Sequence, residues 1–198
     1  MTTEMKLIAL TGGIGSGKSV VAHMVQVMGH QVYDCDSRAK RLMVADEQVR
    51  QQLKQAFGEE TYLPDGSLNR QHLSAVAFVD DRALARLNAI VHPATASDIR
   101  RWADEQARRG ATVAFIETAL LRTAGLDRVV DEVWHVTAPA EVRIERVMAR
   151  SGLTAQQVKD RMAAQSLEET VAPGERVIVN DNCTALVPQV TQLLSQKE

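Results

Sequence analysis

This sequence of 198 residues has little cysteine and no long apolar run, and each shortage excludes a class of protein. Its two cysteines, Cys35 and Cys183, are isolated from each other without the spacing of metal ligands, so reduced thiols in a cytoplasmic protein are expected. No apolar stretch approaches the length of a membrane span. The opening segment Met1–Lys6 also lacks the long apolar segment of a signal peptide. The sequence therefore predicts a cytoplasmic protein without a membrane partner.

An excess of charge of one sign is missing as well. The formal net charge is -2, and acidic and basic residues are well mixed along the chain. This balance gives no general argument for binding to nucleic acid or to acidic membranes, so neither is predicted as a partner. Apolar residues make up 45% of the chain, which is enough for a sizeable core. The length suits one α/β domain with room for an inserted subdomain.

The most informative segment is the glycine-rich run Gly12–Ser19, which reads G-x-x-x-x-G-K-S close behind the apolar run Leu7–Leu10. Glycine takes positive φ without steric cost, so Gly13, Gly15 and Gly17 allow successive backbone N–H groups to curl round one anion. In such a loop the lysine reaches the β- and γ-phosphates, and the final hydroxyl is placed to bind Mg²⁺. The helix that follows directs its positive end at the same phosphates.

The context of this run matches a phosphate-binding loop on both sides. A short apolar strand precedes it, and apolar residues at helical spacing follow it until Gly29. The alternative is a chance glycine-rich turn, which the strand–loop–helix context disfavours. We therefore predict that the protein binds a nucleoside triphosphate. The predicted contacts are Gly13, Ile14, Gly15, Ser16, Gly17, Lys18, Ser19 and Val20, with Ser19 also the magnesium ligand.

Apolar runs predict five strands, separated mostly by long helical patterns, which is typical of a parallel sheet covered on both faces. The predicted strands are Lys6–Leu10, Gln31–Tyr33, Thr112–Ile116, Val133–Thr137 and Val177–Val179. The gap between the second and third strands is too long for one crossover helix. We therefore predict an α/β fold with a five-stranded parallel sheet flanked by helices. Its predicted parts are a nucleotide-binding core of residues 1–36, 110–140 and 166–198, a helical substrate-binding insertion of residues 37–109, and a helical lid of residues 141–165.

The predicted insertion contains three helices. The first runs from Ser37, its N-cap, to Phe57, and Gly58 closes it. The second covers about Gln71–Phe78. The third ends near Gly110.

The predicted lid is a hairpin of two helices, Glu141–Ala149 and Ala155–Gln165, and the second begins with a capping-box pattern. The hairpin carries four arginines, Arg143, Arg146, Arg150 and Arg161. A solvated basic face is the usual fate of such charges and stays an alternative. After a phosphate-binding loop, however, arginines on a helical hairpin are candidates for a lid that closes over the triphosphate. Arg150 and Arg161 are the predicted catalytic arginines.

Two aspartates, Asp34 and Asp36, follow the second strand directly. The carboxyl ends of parallel strands form the ligand crevice of an open sheet, so these carboxylates are expected to face the phosphates. In an extended segment, residues two apart point to the same side. One aspartate would then accept the proton of the acceptor hydroxyl while the other orients it. The alternative is that Asp36 or Ser37 caps the next helix, and both roles are compatible.

Three further polar residues are candidates with structural alternatives. Glu117 ends the third strand and is a candidate to hold a metal-bound water or to contact the acceptor, or else it is a structural carboxylate. Asn180 ends the last strand and is a candidate contact of the adenine edge, or else it forms a turn. His92, followed by Pro93, is either a substrate contact or part of a buried turn.

Together these residues resemble the dephospho-coenzyme A kinase family from end to end. The phosphate-binding loop alone fits many unrelated proteins, whereas L-N-x-I-V-H-P together with D-x-D is far more specific. The matching segments are Leu10–Ser19, Asp34–Asp36, Asp65–Arg70, Leu87–Pro93, Arg146–Arg150, Arg161–Gln165 and Val177–Asn180.

The resemblance implies a kinase that moves the γ-phosphate of ATP, with Mg²⁺, to the ribose 3′-hydroxyl of dephospho-CoA. It implies that Asp36 is the base and that Lys18 and Ser19 serve phosphate and Mg²⁺. It places His92 near the acceptor, Arg150 and Arg161 in the lid region, and Asn180 by the adenine. A monomer is expected, with a homo-oligomer left open.

The chain departs from the family pattern after the third strand. Where the family commonly has P-L-L-F-E, this chain reads Ala119–Thr123 as A-L-L-R-T, so the usual proline and glutamate are absent. Val20 replaces a usual threonine, and Gly174–Glu175 replaces Ala-Asp. Two rival functions remain: a kinase of another small hydroxyl or of a nucleoside monophosphate, and a GTPase switch. The switch would need N-K-x-D, but the corresponding place reads N-D-N-C.

Overall fold

The computed structural model describes residues 5–196. Residues 1–4, within the opening segment Met1–Lys6, and residues 197–198, at the end of the predicted core, lie outside the described range. The strands are β1 Lys6–Thr11, β2 Gln31–Asp34, β3 Val113–Glu117, β4 Glu132–Thr137 and β5 Arg176–Val179. The helices are α1 Lys18–Val27, α2 Cys35–Ala45, α3 Glu47–Phe57, α4 Arg70–Ala77, α5 Asp81–Arg108, α6 Ala140–Ser151, α7 Ala155–Ala164, α8 Ser166–Glu169 and α9 Leu186–Ser195. Within residues 5–196, no helix combines the length and the apolar character needed to cross a membrane.

The five strands form one sheet in the order β2-β3-β1-β4-β5. β1 lies in the middle and pairs in parallel with β3 and β4, and β4 pairs in parallel with β5. β1 is buried from Leu7 onward, because helices cover both faces of such a sheet and leave no polar side. All five predicted strands are confirmed, each within one residue of its predicted ends. The predicted α/β class with a five-stranded parallel sheet is confirmed.

The described chain divides into two compact units. Residues up to 33 and from 102 onward form the first, which we call the sheet unit, and Asp34–Arg101 form the second, which we call the helical unit. The core of the sheet unit packs the strands against α1 and α9. Phe115 and Trp134 meet edge to face at its centre, with ring centroids 5.1 Å apart.

The helical unit has its own apolar core, drawn from α3, α4, the 3-10 turn Glu59–Thr61 and the first part of α5. Tyr62 anchors this core: its hydroxyl donates to the carbonyl of Met43 at 2.6 Å, and the guanidinium of Arg50 lies 4.1 Å from its ring centroid. Leu53 and Ala77 are fully buried in the same cluster. The core described for this unit is therefore made of residues of the unit itself.

The prediction of one helix from Ser37 to Phe57 is wrong. Asp46 interrupts it with extended backbone at φ -90° and ψ 114°, ending α2 and capping α3 through a hydrogen bond from the amide of Val49 at 3.1 Å. The apolar spacing continues across the break, so the periodicity alone gave no sign of it. Ser37 is not the N-cap of α2 either, because Asp34 holds that position.

The buried turn considered for His92 and Pro93 is also wrong, because both residues lie inside α5. A proline within a helix removes one backbone hydrogen bond. The helix nevertheless runs unbroken for 28 residues, and Leu87, Val91 and Ile99 are buried along it at helical spacing.

Candidate active site

The phosphate-binding loop connects β1 to α1, and its glycines are needed for two different reasons. Gly12, Gly15 and Gly17 have φ of 141°, 79° and 95°, which residues with a side chain rarely adopt. Gly13 does not have a positive φ. A Cβ there would overlap the guanidinium of Arg143 and lie 2.5 Å from a carboxylate oxygen of Glu169. The absence of a side chain at Gly13 therefore provides space rather than an unusual backbone conformation.

Asn180 and Arg146 support the loop from the side of β5. The amide of the Asn180 side chain donates to the carbonyl of Ser16 at 2.8 Å, and its own backbone N–H donates to Thr137 in β4. Arg146 donates to the side-chain oxygen of Asn180 at 3.2 Å and also to Asn182. Asn180 is buried, so these bonds fix the loop against the sheet. The contact of Asn180 with adenine stays a prediction.

Ser19 and Glu117 are brought together at the start of α1. The Ser19 hydroxyl donates to the Glu117 carboxylate at 2.6 Å. The parallel register of β1 and β3 sets Glu117 opposite Leu10, next to the start of the loop. Hydroxyl and carboxylate oxygens are the ligands that Mg²⁺ prefers, and it commonly keeps several waters. This pair therefore fits a magnesium ion bound to a nucleotide, although no group of three or more histidine, cysteine, aspartate or glutamate side chains within residues 5–196 forms a metal cluster.

The helical hairpin of α6 and α7 has the predicted form, with the capping box of Thr154 and Gln157 present. Its four arginines divide into two pairs. Arg143 and Arg146 contact the phosphate-binding loop, whereas Arg150 and Arg161 are exposed. The lid role of the exposed pair stays a prediction.

The aspartate pair spans the end of β2 and the start of α2: Asp34 is the last residue of the strand, with extended backbone, whereas Asp36 lies in the helix. The expectation that both side chains point to one side of an extended segment is therefore wrong. Asp34 accepts hydrogen bonds from the amide of Ser37 at 3.1 Å and from its hydroxyl at 2.5 Å, which makes Asp34 the N-cap. Asp36 is the second residue of α2, and its side chain is exposed. His92 is half-buried in α5, and burial lowers the pKa of its imidazole, which favours the neutral ring.

The segment Ala119–Thr123, which departs from the family pattern, has its own set of partners. The buried carboxylate of Glu168 accepts the backbone N–H groups of Arg122 and Thr123 at 3.1 and 2.8 Å. The Arg122 guanidinium pairs with Glu175, whose second oxygen lies 3.3 Å from Nδ1 of His135. Burial lowers the pKa of His135, and the Glu175 charge acts in the opposite direction. These contacts tie the segment to the residues before β5.

Sequence reasoning gave no individual role to Gln165 or Glu169. The side-chain oxygen of Gln165 accepts the amide hydrogen of Ile14 at 2.9 Å, and Glu169 pairs with Arg143. Gln165 did carry a signal, since it belongs to the family motif that begins at Arg161. Glu169 had none, because a carboxylate near a helix end is ordinarily solvated.

Comparisons with known proteins identify the family to which this chain is similar. The sequence model of a family described as dephospho-CoA kinase matches residues 6–185. A dephospho-CoA kinase from Geobacter sulfurreducens is 40% identical over 178 residues, covering 89% of this chain and 90% of that protein. The crystal structure of TT1252 from Thermus thermophilus superposes with a TM-score of 0.75 at 32% identity, covering 98% and 96% of the two chains.

A dephospho-CoA kinase from Campylobacter jejuni has the same fold, with a TM-score of 0.71 at 20% identity over 96% of each chain. The family model spans the strands of the sheet, the phosphate-binding loop, the helical unit and the hairpin. With this match and the Geobacter relative, the chain belongs to the dephospho-CoA kinase family.

Proposed function

We propose that this protein transfers the γ-phosphate of ATP to the ribose 3′-hydroxyl of dephospho-CoA, giving coenzyme A and ADP, the final step of CoA biosynthesis. The observation that carries the proposal is a phosphate-binding loop with Ser19 bonded to Glu117, in a chain whose residues 6–185 match this kinase family. The expected setting is the cytoplasm, with a monomer acting on a small molecule and no nucleic-acid partner.

The nucleotide is bound by the loop and by the start of α1. The backbone N–H groups of the loop and the positive end of α1 hold the phosphates, and Lys18 stabilises the charge that develops on the transferred phosphoryl group. Ser19 and Glu117, 2.6 Å apart, are the residues that would hold Mg²⁺, directly or through water. The ion neutralises phosphate charge when bound.

The roles of the residues that act on dephospho-CoA, the phosphate acceptor, are assigned from the family motifs. Asp36 accepts the proton of the 3′-hydroxyl, Asp34 orients the start of α2, and His92 contacts the acceptor. The position of Asp36 in the first helical turn supports this role, because a helix N-terminus favours the ionised carboxylate that a base needs. Arg150 and Arg161 serve as lid arginines, and Asn180 lies by the adenine.

The direct test measures turnover with ATP or GTP, in the presence and absence of dephospho-CoA. We expect nucleotide consumption with ATP that depends on the acceptor. Lys18→Met should lower kcat by ~10²-fold or more, about 2.7 kcal/mol, because charge stabilisation in the transition state is lost. Lys6→Met is the matched control, since Lys6 is exposed at the other end of β1. Normal turnover in a folded Lys18→Met protein would contradict the assignment of the loop.

The same assay distinguishes the two aspartates. Asp36→Asn keeps the size of the side chain but removes its ability to accept the proton, so phosphoryl transfer should fall sharply while ATP affinity changes little. Some activity should remain, because the loose transition state of phosphoryl transfer limits what a base contributes. Asp34→Asn should be milder, since asparagine also caps helices well. A larger loss from Asp34→Asn would reverse the two roles.

A further inference from the structure

Both polar groups of Ile14 in the phosphate-binding loop are engaged by side chains from the hairpin region. The N–H of Ile14 donates to Gln165 at 2.9 Å, and the carbonyl of Ile14 accepts from Nε of Arg143 at 2.8 Å. The two remaining nitrogens of the Arg143 guanidinium donate to the two carboxylate oxygens of Glu169, at 2.9 and 2.5 Å. One arginine thus joins the loop to the segment that follows α7.

We propose that Arg143, Gln165 and Glu169 form a clamp that holds the loop in its binding conformation before the nucleotide arrives. Arg143 is then a positioning residue that acts through Ile14 and makes no contact with the phosphates. The effect on catalysis rests on the proposed function, whereas the effect on nucleotide binding is separate from the acceptor.

Burial makes this ion pair different from an ordinary surface pair. Arg143 is 7% exposed, so its charge depends on Glu169 for compensation. The geometry also requires a guanidinium group, because its Nε donates to the Ile14 carbonyl while its other two nitrogens donate to the Glu169 carboxylate. A lysine at this position would keep the charge but could not reach both the Ile14 carbonyl and two carboxylate oxygens.

The shape of the loop is matched to the clamp. At Gly13, a Cβ would overlap the Arg143 guanidinium and lie 2.5 Å from Glu169. At Gly15, a Cβ would lie 2.7 Å from the backbone carbonyl of Arg143. Two glycines of the phosphate-binding motif therefore pack directly against the residue that we assign as the positioning group.

The clamp leaves the anion-binding groups of the loop available. It uses the backbone groups of Ile14, whereas the amides of Gly15 and Gly17 donate to no acceptor within residues 5–196. A loop already fixed in this way loses less conformational entropy when phosphate binds. Loss of the clamp should therefore weaken nucleotide binding, and kcat should change less because the bound loop is ordered by the phosphates themselves.

The test compares Arg143→Ala, Glu169→Ala and the double variant by calorimetric titration with ADP and with a non-hydrolysable ATP analogue, in the absence of acceptor. We expect each single variant to raise the Kd about tenfold, because the nucleotide must then order a loop that the clamp no longer fixes. The double variant should bind nucleotide no more weakly than the weaker-binding single variant, because each single change already disrupts the same clamp. Arg143→Lys should recover only part of the affinity. Arg109→Ala, which removes an exposed arginine paired with Glu105, is the control.

Steady-state kinetics complete the test. The KM for ATP should rise with the Kd, while the KM for dephospho-CoA stays unchanged and kcat falls by a smaller factor. If Arg143→Ala does not fold, Glu169→Gln tests the same claim, because it keeps the shape and removes the charge. Unchanged or tighter nucleotide binding, or additive effects in the double variant, would overturn the proposal. A raised Kd without any turnover of dephospho-CoA would support the clamp and contradict the proposed function.

Discussion

At the scale of single residues, the phosphate-binding motif identifies the residues of the loop itself. It does not identify the side chains from other elements that hold the loop in place. Lys18 and Ser19 follow from the motif itself. Asn180 holds the Ser16 carbonyl and Arg143 holds the Ile14 carbonyl, across separations of 164 and 129 residues. Contacts over such distances depend on the assembled sheet and hairpin, so local spacing cannot reveal them.

The half-buried His92 predicts a pH dependence of stability. Burial holds the pKa of His92 in the folded protein below its ordinary value of 6.5, so the unfolded chain binds the proton more readily. The stability associated with a neutral His92 is therefore present above pH 6.5 and is lost as the pH falls through the lowered pKa.

The measurement is urea unfolding of the ligand-free wild type and of His92→Gln at about pH 8 and about pH 5. The stability of the wild type relative to the variant should decrease at the lower pH. A difference that stays constant, or that grows as the pH falls, would show that burial of the ring does not disfavour its proton in the folded state.

At the scale of elements, apolar periodicity located the strands well but missed the break between α2 and α3. The strands are buried runs with polar or glycine-rich ends, so their limits are visible in the sequence. The division of α2 from α3 depends on Asp46, one residue whose carboxylate bonds to the amide of Val49. Such a break leaves the apolar pattern intact, because the chain resumes a helix after a single extended residue.

Asp46 therefore provides a test of this junction. Asp46→Ala should lower the free energy of unfolding by about 1 kcal/mol, because the first turn of α3 loses its cap. Asp46→Asn is the matched control and should be close to wild type, since asparagine caps as well as aspartate. Equal losses in both variants would mean that charge, and not capping, stabilises the junction. Chemical unfolding followed by circular dichroism gives the comparison.

The exposed arginines of the hairpin support a second element-scale prediction. If Arg150 and Arg161 meet the phosphates only on closure, Arg150→Ala and Arg161→Ala should lower kcat more than they raise the Kd for ATP. Trypsin cleavage within residues 143–165 of the wild type should slow when ATP analogue and acceptor are both bound. Arg109→Ala again serves as the kinetic control. Unchanged cleavage with both ligands would indicate a static hairpin.

At the scale of the whole molecule, the sequence predicted the class of fold because the strand–loop–helix motif and the five apolar runs agree. The order of the strands in the sheet could not be predicted from the apolar runs, because it depends on which buried faces pack together. The helical unit of Asp34–Arg101 has its own core around Tyr62. That core joins residues from several elements, and no single amphipathic pattern predicts it.

The choice of acceptor belongs to this scale as well, because it depends on an extended ligand. Dephospho-CoA offers a pyrophosphate and a pantetheine arm remote from the 3′-hydroxyl. Binding energy from these remote groups is available to hold the hydroxyl in line with the γ-phosphate. An acceptor without the arm should lose kcat as well as kcat/KM.

The most direct measurement of the central claim is the position and efficiency of phosphoryl transfer. Wild-type protein, ATP and Mg²⁺ are incubated with dephospho-CoA or with AMP, and kcat/KM is measured while phosphorus NMR identifies the product. The account predicts a new phosphate on the ribose 3′ oxygen of dephospho-CoA and a steep loss of kcat/KM with AMP. Equal turnover of the two acceptors, or conversion of AMP to ADP as the main reaction, would contradict it.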